Sequence, residues 1–572
     1  MKNNPLDTIT LGIAWDHLIS IADEILLALV RTSFSITVRE AWDAGAVIFD
    51  RSGRPIAQGS QSTPAFTGTA FYTIEKLLAI YPAAGLEDGD VIITNDPWIG
   101  TGHLADVSVM RPVFRNGNLL GFVMTITHLV DIGGRGASVS SREIYEEGLL
   151  VPPIKIYRQG QVNEELLDII KSNVRAPGQV VGDIMANISG THVGGVKLNE
   201  MLDLYELEDL QDIADGIIGQ SETAVRKKIL AMPDGIYRNR LEAETQDEQP
   251  LTLACTLGIK KDSVKIDFAG TSPCVPYAIN VPLCYTRSWC AYTLKCLTTP
   301  AIPNNLANVL PLEVTAPEDC ILNAQHPAAT LGRNTVGWYV VPLLMGAFAK
   351  ALPEAVQAEP GMATAVVFNG RLQNGDKLLD QYFATGGMGA MAGLDGRQTT
   401  PAPTNCAMIS SEIWEDETEV AVLERRILPD SGGAGEFRGG PGQQVVLKNN
   451  TGHPITLSLF GLRTEFPAKG YAGAKDGGLR AFRINNDTVA GKGTHTLAAG
   501  ELFTIREAGG GGFGDPKKRP VEKIYEDYRN GFITSVGAVK DYGVEMPQEH
   551  SDDQTTISDG TCAKGRDIRA NR

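Results

Sequence analysis

Paired cysteines are missing from this chain of 572 residues. Its eight cysteines stand at positions 255, 274, 284, 290, 296, 320, 406 and 562, and no two form a C-x-x-C pair. Zinc-ribbon spacing is therefore excluded, and a disulfide framework is not expected in a chain this long. Surroundings such as Ser288-Trp-Cys290-Ala-Tyr fit buried thiols in a reducing compartment. Cys290 and Cys296 have no histidine beside them, so a thiol nucleophile is not expected either. The stretch Met1-Lys-Asn-Asn-Pro-Leu-Asp7 lacks the apolar region of a signal peptide. No apolar run reaches membrane length; Ile19–Val30 is interrupted by Asp23 and Glu24. Positive charge is scarce, with 51 Lys+Arg against 68 Asp+Glu and a net charge of −17. An acidic body attracts neither nucleic acid nor an anionic membrane, so neither is an expected partner. The cytoplasm is the expected location. There is no Walker A motif, no G-x-S-x-G elbow and no internal repeat.

What remains is ordinary in bulk. Apolar residues make up 43% and charged residues 21%. The length suffices for roughly two to four domains. Apolar spacing predicts a helix over 7–33 and another over 69–82. Short aliphatic strands are expected at 46–49, 56–57, 91–94, 107–110 and 119–127, with turns at Asn95-Asp-Pro97 and Asn116-Gly117. Residues 162–232 read as helical, with Asn173 to Asn187 running into one helix. Strand-like alternation returns at 236–270, and helices are expected at 280–300, 336–352 and 519–530. The fold class is thus α+β, a large mixed multi-domain chain. A β-rich, metal-binding region is expected over 1–230, a mixed α/β middle region over 231–360, and a β-rich, Gly-rich region over 361–548. The polar tail 549–572 is expected to be disordered.

Two of only eight histidines carry the sharpest signal. Thr94-Asn-Asp-Pro-Trp-Ile-Gly-Thr-Gly-His103-Leu-Ala-Asp106 is followed by Thr127-His128-Leu-Val-Asp131-Ile-Gly-Gly134. Each histidine sits beside an Asp in a Gly-rich turn. A lone histidine there would read as a turn cap, and each Asp as an Asx-turn. Two such turns, tied by a hairpin at Arg115-Asn-Gly-Asn118, favour a metal site instead. His103, Asp106 and His128 are the candidate ligands, suited to Zn or Mn. Three protein ligands leave a position for a water that the metal acidifies. Asp43 is a candidate fourth ligand or supporting group, and Glu40 a weaker one. Asp131 is expected to orient His128 or to act as a base. Asp106 and His128 complete the candidate catalytic set.

Other motifs are less specific. Gly509–Pro516 looks like a phosphate loop but lacks the Gly-Lys-Ser/Thr ending. A structural turn is at least as good a reading. Asp430–Gly440 offers either an anion site through Arg438 or a buried corner. Arg333 and Asn334 open an apolar helix, where they could hold a phosphate or carboxylate or simply cap the helix.

Taken together, Asn95-Asp-Pro97, Gly102-His103-Leu-Ala-Asp106, His128-Leu-Val-Asp131-Ile-Gly-Gly134, Glu146-Glu-Gly-Leu149, Val151-Pro-Pro153, Asn173-Val-Arg175, Gly182-Asp183, Asp430–Gly435, Arg438-Gly-Gly440 and Gly509–Pro516 resemble the hydantoinase B/oxoprolinase family. The resemblance runs from about residue 8 to about residue 545. It implies a two-component, ATP-dependent enzyme and a hetero-oligomer. A hydantoinase A-type partner binds ATP and phosphorylates a carbonyl oxygen; the B-type subunit carries a divalent metal and finishes the reaction. The missing P-loop fits that division. The resemblance places the metal positions at His103, Asp106 and His128, with Asp43 close by. It implies substrates that are lactams or cyclic imides, or, in the related acetone and acetophenone carboxylases, ketones. The chain departs from the usual Pro-x-His-x-Gly element with Pro64-Ala-Phe66-Thr-Gly68, and it reads Gly-Arg-Asn-Thr-Val-Gly-Trp over 332–338. Both changes favour an apolar lactam such as caprolactam over 5-oxoproline. A carboxylase subunit is the alternative, and a non-catalytic scaffold for the partner a third reading.

Overall fold

The computed structural model describes residues 7–245 and 249–546. The tail expected to be disordered, with Cys562, lies outside the described residues. The chain is a mixed α+β structure with four sheets among the described residues. The first sheet holds seven strands: β1 (Ala44–Asp50), β2 (Pro55–Gln58), β3 (Val91–Thr94), β4 (Asp106–Arg115), β5 (Asn118–His128), β6 (Ile154–Arg158) and β7 (Gln161–Val162). Their spatial order is β2-β1-β5-β4-β3-β6-β7. A four-stranded sheet follows within 235–315, and two further sheets share residues 363–506.

Helix Thr8–Thr32 starts where the Asp7 carboxylate accepts the Ile9 and Thr10 N–H groups. It buries Leu18, Ile21, Ile25 and Leu29 against β1 and against helix Pro177–Leu204. The helix expected over 69–82 begins at Pro64 rather than at residue 69, because proline suits the first helical turn, where its missing N–H is not needed. The helical stretch expected through Asn173 breaks at Val174–Ala176 and restarts at Pro177. A residue that precedes proline is pushed out of the helical region. That break places Arg175 against the loop that follows β5, where it donates to Asp131 and Gly133. One apolar core runs from Val47 through Trp289 and Phe348 to Leu462. It crosses the boundaries expected near 230 and 360, so those segments share an interior.

The Gly-rich stretches form a layer of touching backbones. Gly387 N–H donates to Ala508, Gly440 N–H to Met388, Gly510 N–H to Gly440 and Gly433 N–H to Gly510. A Cβ on Gly440 would overlap the carbonyl of Arg397, and one on Gly509 the carbonyl of Ser431. Arg438 pairs with Asp527 at 3.2 Å in the interior. The stretch 430–440 is therefore the buried corner, and its arginine is already partnered.

Gly440→Ala is expected to destabilise the protein by about 3 kcal/mol, toward the upper end of overpacking effects. Gly219→Ala, on an exposed helical face with nothing within 4 Å of a new Cβ, is expected to stabilise by about 0.5–1 kcal/mol. Denaturant titration of both variants checks the contrast; equal midpoints would refute the close-packed layer.

Candidate metal centre

The hairpin that joins β4 to β5 sets the centre's geometry. Its register pairs Asp106, the first residue of β4, directly with His128, the last of β5. On the other side of β5, Ala44 pairs with Thr127, and the Asp43 carbonyl accepts the His128 N–H at 3.2 Å. Asp43, His128 and Asp106 therefore stand in a row across one end of three neighbouring strands. His103 joins them from the turn that enters β4. Its Nε2 lies 2.8 Å from Asp106 Oδ1, and His128 Nδ1 lies 3.0 Å from the same oxygen. One donor atom from each of His103, Asp106 and His128 can be chosen so that all lie within 4.8 Å of one another.

The second carboxylate oxygen of Asp106 is held from the middle of the chain. Arg333 Nη2 donates to it at 2.6 Å, and the Thr101 hydroxyl donates to it as well. Arg333 Nε donates to the Thr101 carbonyl at 2.6 Å, and the guanidinium stacks 4.1 Å over the Tyr285 ring. Gly102 permits this approach: its φ is +93°, and a Cβ there would sit 2.8 Å from Arg333 Cδ. Arg333 thus serves Asp106 and does not face solvent as a free anion site.

His103 Nδ1 lies 2.9 Å from the Leu331 carbonyl. A carbonyl only accepts, so Nδ1 carries the proton and Nε2 keeps its lone pair. That Nε2 is buried, makes no hydrogen bond, and still lies close to an Asp106 oxygen. Burial and then Arg333 pull His103 down to about 4, so the ring is neutral. Two lone pairs face each other across 2.8 Å, an arrangement that a shared cation relieves. The donor set therefore fits a divalent metal. Burial alone would raise Asp106, but the Arg333 charge and the hydrogen bond from His128 hold it well below the usual carboxylate range. Burial opposes protonation of His128, yet Asp106 and Asp43 raise it. Burial lifts Asp43 to about 6, partly offset by His128.

Asp43, His103, Asp106, His128 and Asp131 all line one cavity of about 110 Å³. Its apolar walls include Phe66, Tyr285, Trp289, Trp338 and Phe460. Asp131 points elsewhere than expected. Its carboxylate accepts the Gly133 N–H at 3.0 Å, Arg175 Nη1 at 2.9 Å and the Arg175 backbone N–H, and it makes no hydrogen bond to His128. Glu40 pairs with Arg39 at 3.1 Å and does not line the cavity. Glu147 is the residue that sequence reasoning gave no role. Its Oε1 accepts the N–H groups of Thr330 and Leu331, each at 2.7 Å, and so fixes the loop whose carbonyl holds His103. The one hint of it in the sequence was the acidic pair Glu146-Glu147 before a glycine.

A family model described as hydantoinase B/oxoprolinase matches residues 7–516. The caprolactamase subunit beta of Pseudomonas jessenii is 31% identical over 566 residues, covering 95% of this chain and 96% of that protein. The 5-oxoprolinase 1 of Arabidopsis thaliana is 28% identical over 551 residues, 90% of this chain and 42% of that longer protein. The crystal structure of ATP-dependent caprolactamase from Pseudomonas jessenii matches with a TM-score of 0.87 at 27% identity, over 95% of this chain and 97% of that one.

Burial pushes Glu147 up to about 8 from its ordinary 4.5, although its two backbone N–H partners favour the ionised form. Between those values the folded chain holds a proton that the unfolded chain has released. Stability therefore falls as pH rises through that window. Glu147→Gln keeps an oxygen for Thr330 and Leu331 and removes the titration. Relative to this variant, the native protein is expected to lose stability on the order of 2–4 kcal/mol between about pH 5 and pH 8. Thermal midpoints of both proteins across that range provide the check, and parallel profiles would remove Glu147 as a buried titrating group.

Proposed function

Since the chain belongs to the hydantoinase B/oxoprolinase family, we propose that it is the metal-bearing subunit of a two-component, ATP-dependent cyclic-amide hydrolase. Its partner is a hydantoinase A-type subunit, which phosphorylates the carbonyl oxygen of a lactam. This chain then opens the activated ring to the amino acid. An apolar lactam such as caprolactam is the favoured substrate. The observation that carries the reading is the convergence of His103, Asp106 and His128 at the wall of an aromatic-lined cavity. The 31% identity to a caprolactamase subunit beta supports the substrate class.

His103, Asp106 and His128 would hold the metal, with Asp43 as a fourth oxygen donor beside them. Zinc suits this set first and manganese second. Bound there, the ion would supply Lewis acidity and bring the pKa of a water toward neutrality. The chain's own groups do the rest. Leu331 keeps the His103 lone pair turned inward through the Nδ1 hydrogen bond. Arg333 and Thr101 hold one oxygen of Asp106, so the other stays turned toward both histidines. Phe66, Trp289 and Phe460 form a dry wall for the ring's methylenes. Water oxygen adds to the phosphorylated carbon, the C–N bond breaks with a proton passing to nitrogen to leave an acyl phosphate, and a second water cleaves that acyl phosphate to the carboxylate and inorganic phosphate. Asp106 and His128 stand where they can accept and return the water's proton. Asp131 acts through Arg175, fixing the cavity's edge.

The test is ATP turnover by the purified complex with caprolactam, 5-oxoproline and acetone, each with and without labelled bicarbonate. Formation of 6-aminohexanoate from caprolactam without incorporated label is expected. His103→Ala is expected to lower that rate at least about 100-fold, with bound metal lost by elemental analysis. Label entering a ketone would make the chain a carboxylase subunit, and full turnover by metal-free His103→Ala would overturn the assignment of the site.

A further inference from the structure

Most residues that line the cavity at His103, Asp106 and His128 are buried; Arg175 is the exposed one, so the cavity opens beside it. A hairpin of strands Ala363–Arg371 and Lys377–Thr385 reaches the same mouth. Ala365, Val367 and Asn369 of the first strand, and Leu379, Gln381 and Phe383 of the second, lie on one face and line the cavity. One step further along that face, at the end of the hairpin, Arg371 stands opposite Lys377. Lys377 Nζ donates back to Asn369 Oδ1, so its ammonium returns to the cavity's rim.

These cations are unevenly compensated. Asp131 pairs with Arg175 at 2.9 Å. Lys377 and Arg371 form no ion pair among the described residues; their hydrogen bonds go to neutral oxygens, Asn369 Oδ1 and the Gly375 carbonyl. Asp376, in the hairpin's turn, bonds Asn374 rather than either cation. Burial, then the charges of Arg175 and Arg371, lower the Lys377 pKa against the pull of Asp131. Three cations around one paired carboxylate leave the mouth positive, in a chain whose net charge is −17. Arg175 is also held in place. Its Nη1 donates to Asp131 and to the Gly133 carbonyl, at 2.9 and 3.0 Å, and its Nη2 to the Gly134 carbonyl. Its Nε–H and one Nη2 hydrogen make no hydrogen bond among the described residues. A guanidinium fixed in this way offers two donors to one anion without reorganising.

We propose that this mouth binds a phosphate monoester dianion, the phosphorylated substrate on its way into the cavity, with phosphate oxygens on the free N–H groups of Arg175 and on Lys377, and with Arg371 adding charge. The proposal rests on the reading of a lactam phosphorylated by the partner. An unactivated lactam is neutral and gains nothing from these cations, whereas a phosphoryl group brings a charge of about −1.5 to −2 at neutral pH. The planar fork of an arginine matches phosphate oxygens in geometry as well as in charge. Positive charge at an opening also raises the local concentration of an anion. The cluster therefore selects the activated ring over the unactivated one before either reaches His103, Asp106 and His128.

Methyl phosphate is titrated into the purified full chain, without partner or ATP, and its binding is read from phosphorus NMR line widths. Chelator-treated protein is measured beside metal-loaded protein, and equal binding by both is expected, since the mouth and not a metal holds the anion. Arg371 and Lys377 are exposed, so a double variant, Lys377→Gln with Arg371→Gln, is expected to fold as the native chain does. It is expected to bind methyl phosphate at least about five-fold more weakly, while Lys377→Arg keeps the affinity. Acetate is expected to displace methyl phosphate only at concentrations at least about ten-fold higher. In the complete complex, the double variant is expected to consume several times more ATP per 6-aminohexanoate formed, because phosphorylated lactam escapes. Unchanged methyl phosphate binding in the double variant, binding that vanishes with the chelator, or displacement by equal acetate would overturn the proposal. So would a double variant that no longer assembles with the partner, because the cluster would then be a docking surface. An unchanged ratio of ATP to product in a variant that has lost methyl phosphate would assign the cluster to released phosphate and overturn its role in capture. Absence of lactam turnover by the native complex, with methyl phosphate bound by the native chain and weakened in the variant, would sink the catalytic reading and leave the phosphate site standing.

Discussion

A carboxylate with almost no access to solvent has to be compensated on both oxygens, and at Asp106 that requirement reaches across the whole chain. Isolated ionised groups in an apolar interior are unstable by many kcal/mol and become tolerable only when paired and hydrogen-bonded. One Asp106 oxygen is covered by Arg333 and Thr101. The other faces two imidazoles, of which only His128 makes a hydrogen bond to it. Arg333 is itself buried and finds its remaining partners in the Thr101 carbonyl and the Tyr285 ring. The middle segment is thereby fastened to the first sheet by charge as well as by apolar packing. The shared core from Val47 to Leu462 is the apolar side of the same junction.

The sheet supplies position and the middle segment supplies polarity. Strand order β2-β1-β5-β4 sets Asp43, His128 and Asp106 side by side. A strand pair fixes Cα positions but leaves imidazole rings free to rotate. The loop at Thr330–Arg333 removes that freedom for His103, through the Leu331 carbonyl, and for Asp106, through Arg333. Glu147 in turn fixes the loop by accepting two of its N–H groups. A ligand set is well ordered when such outer partners hold it, and here they come from segments nearly 200 residues apart.

That division explains what could be read in advance. The Asn-Gly turn at 116–117 and its flanking aliphatic runs announce a hairpin from local chemistry, and the hairpin alone brings Asp106 to His128. Histidines beside aspartates in Gly-rich turns carry the rest of the ligand hint. Arg333 was visible as a charged residue at a helix start, but its partner is 227 residues away, and nothing local distinguishes a free guanidinium from a paired one. Asp131 misled in the opposite way. It follows His128 by three residues, yet the chain turns, and Arg175 takes its carboxylate from the break before Pro177. The proline signalled the break itself; the identity of the group delivered there depends on tertiary packing. The Gly-rich stretches illustrate the same limit, since glycine tolerates both a phosphate and another backbone at close range, and here the backbone is the neighbour.

The cavity beside His103, Asp106 and His128 draws its lining from residue 37 to residue 460. A site gathered from so many segments depends on their packing together, and in return His103, Asp106 and Asp131 are buried. Excluding water strengthens every charge interaction inside. It also leaves polar chemistry dependent on a few fixed groups, because bulk solvent cannot correct an error in their placement. Here those groups converge on the Asp106 carboxylate, and the aromatic walls carry no charge of their own. The apolar walls and the polar cluster are thus built from different residues of one space. Changes at Phe66, Trp289 or Phe460 can reshape the space while leaving the positions of His103, Asp106 and His128 in place, and a change in the loop at Thr330–Arg333 does the reverse.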